Sequence, residues 1–414
     1  MSMTSTPSVF GSTRKAVLVS SAAMISLAIA VGVGRFAFTP LFPLMVRDGL
    51  LNNENGTLLA VSNYLGYLLG AMLAGQIKVK PSFLLVFGLV STAVVTGAVG
   101  WTSSVFVWAL LRFFSGITSA WTLIAASAWG LAWLASLQQQ HLAGTIFAGV
   151  GLGIAAVGVF CAVTARFDVS ASKIWVDSAL LAGIFALFPW IVSAQFPSAI
   201  SNADVATQQS TSSNPLSNTI GLVICYSLSG FGYILPATYL PAEARQLVND
   251  PNVFGWAWPI FGLAAALSTV FVSLGLKRAN RLQVWAASHF LMAIGVLLPA
   301  VWRSIASVSI AAVLVGGTFV VATMVSMQEV RARAEASATI VLARMTAGFA
   351  LGQLLGPVIF SILSRLSANA PGALNHGLEL ASAALFLSAI YLWKEDRCRE
   401  LLLAMNPRFA FKRN

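Results

Sequence analysis

The stretch Gly32-Val33-Gly34-Arg35-Phe36-Ala37-Phe38-Thr39-Pro40-Leu41-Phe42-Pro43 ends the first long apolar run of this chain. It places Arg35 inside a segment that we predict to be a membrane-spanning helix. A charged side chain is costly in the interior of a bilayer, so an arginine there indicates a functional site. A weaker copy follows 198 residues later, with three matched pairs: Gly32 and Gly230, Gly34 and Gly232, Pro43 and Pro241. This repeat predicts a protein built from two similar halves.

The composition of the chain indicates a membrane protein. Of its 414 residues, 58% are hydrophobic and only 9% are charged, whereas soluble domains carry about 25% charged residues. The net charge of +11 does not indicate a nucleic-acid partner, because the basic residues lie in short loops and form no basic face with stacking aromatics. Cys161, Cys225 and Cys398 form no metal-ligand or disulfide pattern, so we expect no metal and no cofactor.

Twelve apolar segments are long enough to span a bilayer, which takes about 20 residues. Their approximate bounds are 16–45, 56–77, 82–101, 104–135, 142–163, 173–195, 217–241, 253–275, 281–302, 305–327, 338–365 and 376–394. The first segment is too long for the core of a secretory signal peptide, so we interpret it as a retained helix. The longest interruption, 196–216, is rich in Ser, Thr, Gln and Asn, which is typical of a flexible linker.

This pattern predicts an all-α membrane protein with 12 transmembrane helices in two pseudo-symmetric six-helix bundles. The expected domains are an N-terminal bundle (1–195), a cytoplasmic linker (196–216), a C-terminal bundle (217–394) and a cytoplasmic tail (395–414). The loops on the side of the N-terminus carry 15 basic residues and those on the other side carry six. This bias predicts that both termini are cytoplasmic.

Four stretches of the chain resemble motifs of a known transporter family. Residues 34–40 (GRFAFTP) and 62–71 (SNYLGYLLGA) resemble the bacterial YbfB/YjiJ-type branch of the major facilitator superfamily. Residues 111–116 (LRFFSG) resemble the superfamily's fourth-helix arginine motif, and 348–357 (GFALGQLLGP) resemble its glycine-rich motif of the fifth and eleventh helices. The resemblance implies inverted 3+3 bundles around a central cavity, transport by alternating access, and a location in the bacterial inner membrane.

The chain departs from the superfamily pattern in one place. The loop between the second and third helices usually carries an aspartate, but here it reads GQIKVKP over 75–81. The corresponding loop of the second half, GLKRANR over 275–281, also lacks an acid. The usual charge lock of the cytoplasmic gate is therefore in doubt.

Arg35 and Arg112 are the leading candidates for substrate binding. Both are expected in the outer half of the membrane, on the first and fourth helices, which line the cavity in this superfamily. Two guanidinium groups at a similar depth suit a carboxylate, phosphate or sulfonate. The alternatives are that Arg35 extends to the outer interface and that Arg112 bonds backbone carbonyls at a packing point.

Six polar side chains complete the predicted substrate site. Ser115 and Ser119 follow Arg112 on one helical face, and Asn63 shares a face with Tyr67. Tyr233 occupies the repeat position of Arg35, and Gln353 is an intramembrane amide. The serines could instead bond carbonyls of their own helix, and Asn63 and Tyr67 could simply join helices.

A further set of residues is predicted to serve helix packing or gating rather than substrate binding. Glycine pairs allow close helix approach, and two of them repeat at an offset of 199. The set comprises Gly32, Gly34, Gly149, Gly153, Gly348, Gly352 and Arg344.

The functional expectation is a secondary active or facilitative transporter of a small organic anion. No acidic residue falls securely in mid-helix and His289 is expected to be packed, so a coupling proton stays open. The alternatives are an exporter of hydrophobic drugs or metabolites and a non-transporting sensor or scaffold. The chain shows no catalytic constellation, so we expect no enzyme. The expected partners are an anionic substrate and membrane lipids, and the protein is expected to act as a monomer.

Overall fold

The computed structural model describes residues 9–77, 79–197, 219–247, 256–276, 279–334, 338–366 and 370–405. Regular structure in these ranges is helical throughout. The α-helices are α1 (Val9–Leu27), α2 (Phe38–Arg47), α3 (Asn53–Ala74), α4 (Pro81–Val99), α5 (Val105–Ser136), α6 (Ala143–Ala165), α7 (Ala171–Gln195), α8 (Ile220–Leu247), α9 (Ala257–Gly275), α10 (Arg281–Val301), α11 (Ile305–Ala334), α12 (Ala338–Leu366) and α13 (Ala370–Met405). A π-helical segment, Ala28–Phe36, joins α1 to α2.

The predicted number of spans is confirmed, because the described residues contain 12 helices long and apolar enough to cross a membrane. The first span is one continuous stretch, Ser12–Arg47, made of α1, the π-helical segment and α2. Most of the predicted linker (198–216) and the end of the predicted tail (406–414) lie outside the described residues. The start of that tail is helical, because α13 continues to Met405.

Close approach of backbones at glycines holds neighbouring helices together. A Cβ on Gly153 would collide with the backbone of Ala28, and one on Gly149 with the backbone of Met24, so α6 lies directly against the first span. In the C-terminal half, Gly352 lies in the same way against the backbone of Ser227. Small residues in membrane helices allow such contacts, which bring many atoms within van der Waals range.

The other predicted packing residues differ in their surroundings. Gly32 abuts the backbone of Gly153, Gly34 abuts the side chain of Ser119, and Gly348 abuts the hydroxyl of Ser227. Arg344 has an exposed side chain on α12. The contacts of the glycines fit a packing role, and a gating role stays a prediction for all of these residues.

The two halves contact each other in the middle of the molecule and at one end. We call the end where α2 stops and α3 starts the outer end, and the opposite one the inner end, after the predicted orientation. At the inner end, Ser273 of α9 accepts a hydrogen bond from the amide of Gly144 (3.0 Å) and donates one to the carbonyl of His141 (2.6 Å). In the middle, a Cβ on Gly151 would strike the carbonyl of Gly262. The halves are therefore in contact away from the outer end.

Acidic residues at the inner end of the C-terminal half come from helices rather than from a loop. Glu329 of α11 lies 2.8 Å from Arg333 and 3.8 Å from Arg281, and Arg333 lies 2.7 Å from Glu395 of α13. These ion pairs tie α10, α11 and α13 together. Acidic residues are therefore present at this end, but they lie on α11 and α13 rather than in the loop.

At the outer end, Asp48, just beyond α2, connects α2 to α7. Its carboxylate accepts a hydrogen bond from the amide of Ala171 (2.6 Å) at the start of α7 and pairs with Arg47 (2.8 Å). Burial raises the pKa of this carboxyl, but the Ala171 amide and the Arg47 guanidinium outweigh that effect, and the pKa lies below its usual value.

Candidate functional site

The site is built on the π-helical segment of the first span. In a π-helix each carbonyl pairs with the amide five residues on, so the partner of the Arg35 carbonyl would be residue 40, a proline without an N–H. Side chains of α5 bond this carbonyl and two others of the segment. Ser119 donates to the carbonyl of Ala30 (2.6 Å), and Ser115 donates to that of Gly34 (2.6 Å).

Arg112 of α5 bonds the same segment with both ends of its guanidinium fork. Nη1 donates to the carbonyl of Gly34 (3.0 Å), and Nη2 donates to that of Arg35 (2.9 Å). The side chain is only 3% exposed, and its buried Nε has no hydrogen-bond partner. Asn63 of α3 donates to the carbonyl of Arg112 (2.9 Å), which links α3 to the same junction. The backbone-bonding alternative for Arg112 is therefore what the geometry shows, with one edge of the guanidinium left over.

Arg35 is held by residues of both halves. Its Nη2 donates to Oε1 of Gln353 on α12 (2.6 Å), and the amide nitrogen of Gln353 donates to the hydroxyl of Tyr233 on α8. The guanidinium carbon lies 3.8 Å from the ring centroid of Tyr67, a cation–π contact. Arg35 is 5% exposed, so it does not extend to the outer interface, and its Nε has no hydrogen-bond partner.

Among the side chains that the structure describes, the site concentrates positive charge without a compensating acid. None of the ion pairs in the described part of the chain involves Arg35 or Arg112. The backbone carbonyl of Arg35 is 2.9 Å from Nη2 of Arg112, so the two residues adjoin directly. Burying a guanidinium without a counter-charge costs several kcal/mol. The arrangement is therefore suited to a ligand that brings negative charge.

Both arginines line a cavity of about 410 Å³ at the outer end, between the two halves. Its walls come from α2 and the end of the π-helical segment, the start of α3, and the outer ends of α8 and α12. Besides the two arginines, the lining residues are Phe36, Phe38, Thr39, Phe42, Pro43, Gly56, Thr57, Ala60, Val61, Tyr64, Ile234, Ala237, Thr238 and Pro357. Among the described residues, no aspartate or glutamate lines it.

The eight predicted substrate residues lie together but fall into three groups. Arg35 and Arg112 line the cavity. Gln353, Tyr233 and Tyr67 contact Arg35, directly or through one another, from outside the cavity lining. The remaining three, Asn63, Ser115 and Ser119, each bond a backbone carbonyl of a neighbouring helix.

Sequence reasoning missed several residues of the cavity wall, foremost Tyr64. This tyrosine lines the cavity together with Thr238 from the other half. A signal for it existed, because Thr57, Val61 and Tyr64 follow one another at i, i+4 and i+7 on α3. The aromatic residues of the first span had no such signal, since aromatic side chains are common in every apolar helix.

His289 lies away from this cavity and is fully buried in the C-terminal half. Its ring nitrogens contact the hydroxyls of Ser229 and Ser388, both at 2.9 Å, and Trp285 donates to its Nε2 (2.9 Å). Because an indole N–H is only a donor, Nε2 is the acceptor nitrogen of the ring in this arrangement. The contacts fit the predicted packed histidine. The described residues contain no group of three or more potential metal ligands.

A second cavity, of about 390 Å³, opens at the inner end between α5, α9, α10 and α11. Arg281, Arg331 and His141 are the basic residues of its lining. Arg331 donates to the carbonyl of Ala128 on α5 (3.2 Å), which bridges the halves below the cavity of the arginine pair. The two cavities therefore lie at opposite ends of the contact between the halves.

Comparison with known proteins agrees with this architecture. A sequence profile of the family described as "Uncharacterised MFS-type transporter YbfB" matches residues 27–392. No curated protein sequence matches the chain significantly. Among solved structures, the human organic anion transporter MFSD10 (TETRAN) superimposes with a TM-score of 0.68 at 13% sequence identity, covering 94% of this chain and 100% of that one. At this identity the likeness shows a shared fold alone.

Proposed function

The chain belongs to the YbfB-type family of major facilitator transporters, and from that premise we propose that it carries a small organic anion by alternating access. Membership of this family and the 12-helix fold make it a multi-pass membrane transporter of a small molecule. The proposed part is the charge of the substrate and the way in which it crosses.

The observation that carries the proposal is the pair Arg35 and Arg112 at one cavity. Both are at least nine-tenths buried, both keep a buried Nε without a partner, and neither forms an ion pair in the described part of the chain. Charge-assisted hydrogen bonds from guanidinium to carboxylate, phosphate or sulfonate are among the strongest in proteins. A bound anion offsets the cost of the buried charges, whereas a cation adds to it.

The fold likeness supports the proposal only indirectly. The human protein with the similar fold is described as an organic anion transporter. Its substrate does not transfer at 13% identity. It serves as a precedent for anion transport on this architecture.

The alternating-access part rests on contacts that cross between the halves. Arg35 of the first span bonds Gln353 of α12 (2.6 Å), and Phe36 packs edge-to-face on Trp258 of α9 (ring centroids 5.7 Å apart). An anion at Arg35 binds the same guanidinium group as Gln353 and draws its positive charge away from that bond. Binding therefore weakens a polar bond between the halves at the outer end, which favours their relative movement.

The test is uptake into liposomes of three labelled anions, namely 3-phenylpropionate, benzenesulfonate and succinate, with glucose as the neutral control and protein-free liposomes to measure passive entry. We expect uptake of at least one anion, loss of that uptake in Arg35→Gln, and retention in Arg166→Gln, an exposed arginine at the same end. Uptake of glucose, or of none of the anions, would overturn the proposal.

An exporter of hydrophobic molecules is the second candidate, and the aromatic wall formed by Phe36, Phe38 and Phe42 favours it. In that case both arginines are structural: Arg112 bonds the π-helical segment and Arg35 bonds Gln353. Uptake of a neutral aromatic compound such as benzamide that survives in Arg35→Gln would support this alternative.

A further inference from the structure

We propose that the transported anion is a monocarboxylate with an apolar, ring-sized body. Its carboxylate lies between Arg35 and Arg112, and its body lies against Phe38, Phe42 and Ile234. This inference rests on the proposed function and narrows it, because it states which kinds of organic anion the cavity accepts and which it rejects.

The charged end of the cavity is shaped for one anionic group. The fork of Arg112 is already bonded to the carbonyls of Gly34 and Arg35, and its buried Nε has no hydrogen-bond partner. Arg35 uses Nη2 on Gln353 and stacks one face on Tyr67, and its buried Nε also has no partner. Both arginines line the same cavity, and two guanidinium groups match the two oxygens of a single carboxylate.

The rest of the wall is apolar. Beyond the arginines, nine of the lining residues are hydrocarbon or aromatic: Phe36, Phe38, Phe42, Pro43, Ala60, Val61, Ile234, Ala237 and Pro357. Among the described lining residues no further arginine, lysine or histidine is available for a second anionic group. A dicarboxylate would therefore place its second charge against hydrocarbon, which carries a large desolvation cost.

Because the described lining contains no acid, the cavity also disfavours a ligand that carries an ammonium group. An amino acid brings an ammonium group beside its carboxylate, and no aspartate or glutamate lines the cavity to receive it. The same ammonium would lie next to two guanidinium groups. The cavity therefore distinguishes 3-phenylpropionate from phenylalanine, two molecules that differ by one ammonium group.

The size and remaining polar groups set the body of the ligand. A volume of about 410 Å³ lies near the lower end of small-molecule pockets, which span about 300–1,000 Å³. The hydroxyls of Thr39, Thr57, Tyr64 and Thr238 are the uncharged polar groups of the lining. Thr39, Tyr64 and Thr238 are suited to water or to a hydroxyl on the ligand, and the volume is enough for a body with a single ring.

The experiment compares four ligands by thermal stabilisation of the purified protein, since a ligand that binds only the folded state raises the melting temperature. The ligands are 3-phenylpropionate, its uncharged amide 3-phenylpropanamide, phenylalanine, and succinate. We expect 3-phenylpropionate to bind at least about tenfold more tightly than each of the others, a factor worth about 1.4 kcal/mol.

A cavity-filling variant locates the body of the ligand. Ala60→Phe adds a ring inside the lining, whereas Leu65→Phe adds one on the same helix at a side chain that is 46% exposed. We expect Ala60→Phe to lose at least about tenfold in affinity for 3-phenylpropionate, and Leu65→Phe to keep it. If Ala60→Phe does not fold, Phe42→Ala, which removes part of the wall, is the second variant and should also weaken binding.

The outcomes separate this inference from the function on which it rests. Succinate or phenylalanine matching 3-phenylpropionate, or unchanged affinity in both cavity variants, would overturn the apolar-body inference while the anion function stands. The amide matching the acid would remove the role of charge and overturn both.

Discussion

At the scale of single residues, Arg112 combines two tasks that are usually separate. Its fork bonds two carbonyls of the π-helical segment, and its side chain also lines the cavity. Arg35, in contrast, has its guanidinium bonded to a side chain, Gln353, and stacked on a second, Tyr67. The two arginines should therefore respond differently to the same substitution.

Replacing each arginine by lysine separates these tasks. Lysine keeps the charge but lacks the planar fork, so Arg112→Lys loses at least one of the two charge-assisted hydrogen bonds to the carbonyls of Gly34 and Arg35, at a cost of about 1.5–3 kcal/mol. We expect a clearly lower melting temperature without ligand for Arg112→Lys than for Arg35→Lys, measured in the same detergent. Equal melting temperatures would show that the carbonyl bonds of Arg112 add nothing to stability.

Gln353→Glu supplies an internal anion to the site. The new carboxylate would stand where Oε1 now accepts from Arg35 at 2.6 Å, so it pairs with the guanidinium that we assign to the ligand. We expect anion binding to fall at least about tenfold, with the melting temperature without ligand unchanged or higher. Gln353→Leu is the matched control, because it removes the bond without supplying charge, and it should retain more anion binding than Gln353→Glu.

The candidate site was only partly predictable from these residues. A charged side chain is energetically costly to bury in a membrane helix, so Arg35 and Arg112 could be recognised as candidates from the sequence. The serines and Asn63 were equally visible as polar residues in apolar helices. The sequence does not distinguish a polar side chain that bonds a neighbouring backbone from one that faces a ligand. Tyr64 was visible in a motif, yet its place in the cavity wall beside Thr238 depends on how the two halves meet.

At the scale of helices, the first span shows what hydrophobic patterns reveal and what they hide. Its length and composition predicted a crossing, and the structure has one from Ser12 to Arg47. The π-helical stretch Ala28–Phe36 was not predicted, because one extra residue per turn leaves an all-apolar pattern unchanged. Pro40 was its one local indication, since a proline takes away a backbone donor from the turn before it.

The contact between α6 and the first span gives a test at this scale. Gly153→Val would push its side chain into the backbone of Ala28, and overpacking of this kind costs about 1–3 kcal/mol. Gly183 of α7 has no atom within 4 Å of its would-be Cβ, so Gly183→Val is the matched control. We expect a lower melting temperature and yield for Gly153→Val only; an equal loss in both variants would contradict the close packing at Gly153.

At the scale of the whole molecule, the count of spans and the fold were predictable because bilayer thickness fixes helix length. The contacts between the halves were not, since they depend on side chains far apart in sequence, such as Arg35 and Gln353. The two-domain division and the orientation in the membrane stay predictions from loop charge and from the repeat.

The predicted orientation is tested by labelling single introduced cysteines with a membrane-impermeant thiol reagent in intact cells. Gln138→Cys lies in the turn after α5, and Asp168→Cys lies in the turn after α6. We expect Asp168→Cys to be labelled from outside and Gln138→Cys to be labelled only after the cells are opened. The reverse pattern would place both termini outside. The native Cys161 and Cys225 are buried, and Cys398 is replaced by serine in both variants so that only the introduced cysteine is labelled.

The most direct measurement of the central claim, that the paired arginines bind negative charge, is thermal stabilisation against a panel of small carboxylates, phosphates, sulfonates, amines and neutral sugars. We predict stabilisation by anions alone, its loss in Arg35→Gln, and its retention in Arg166→Gln. Stabilisation by amines or sugars that persists in Arg35→Gln would contradict the claim and leave the arginines with a structural role.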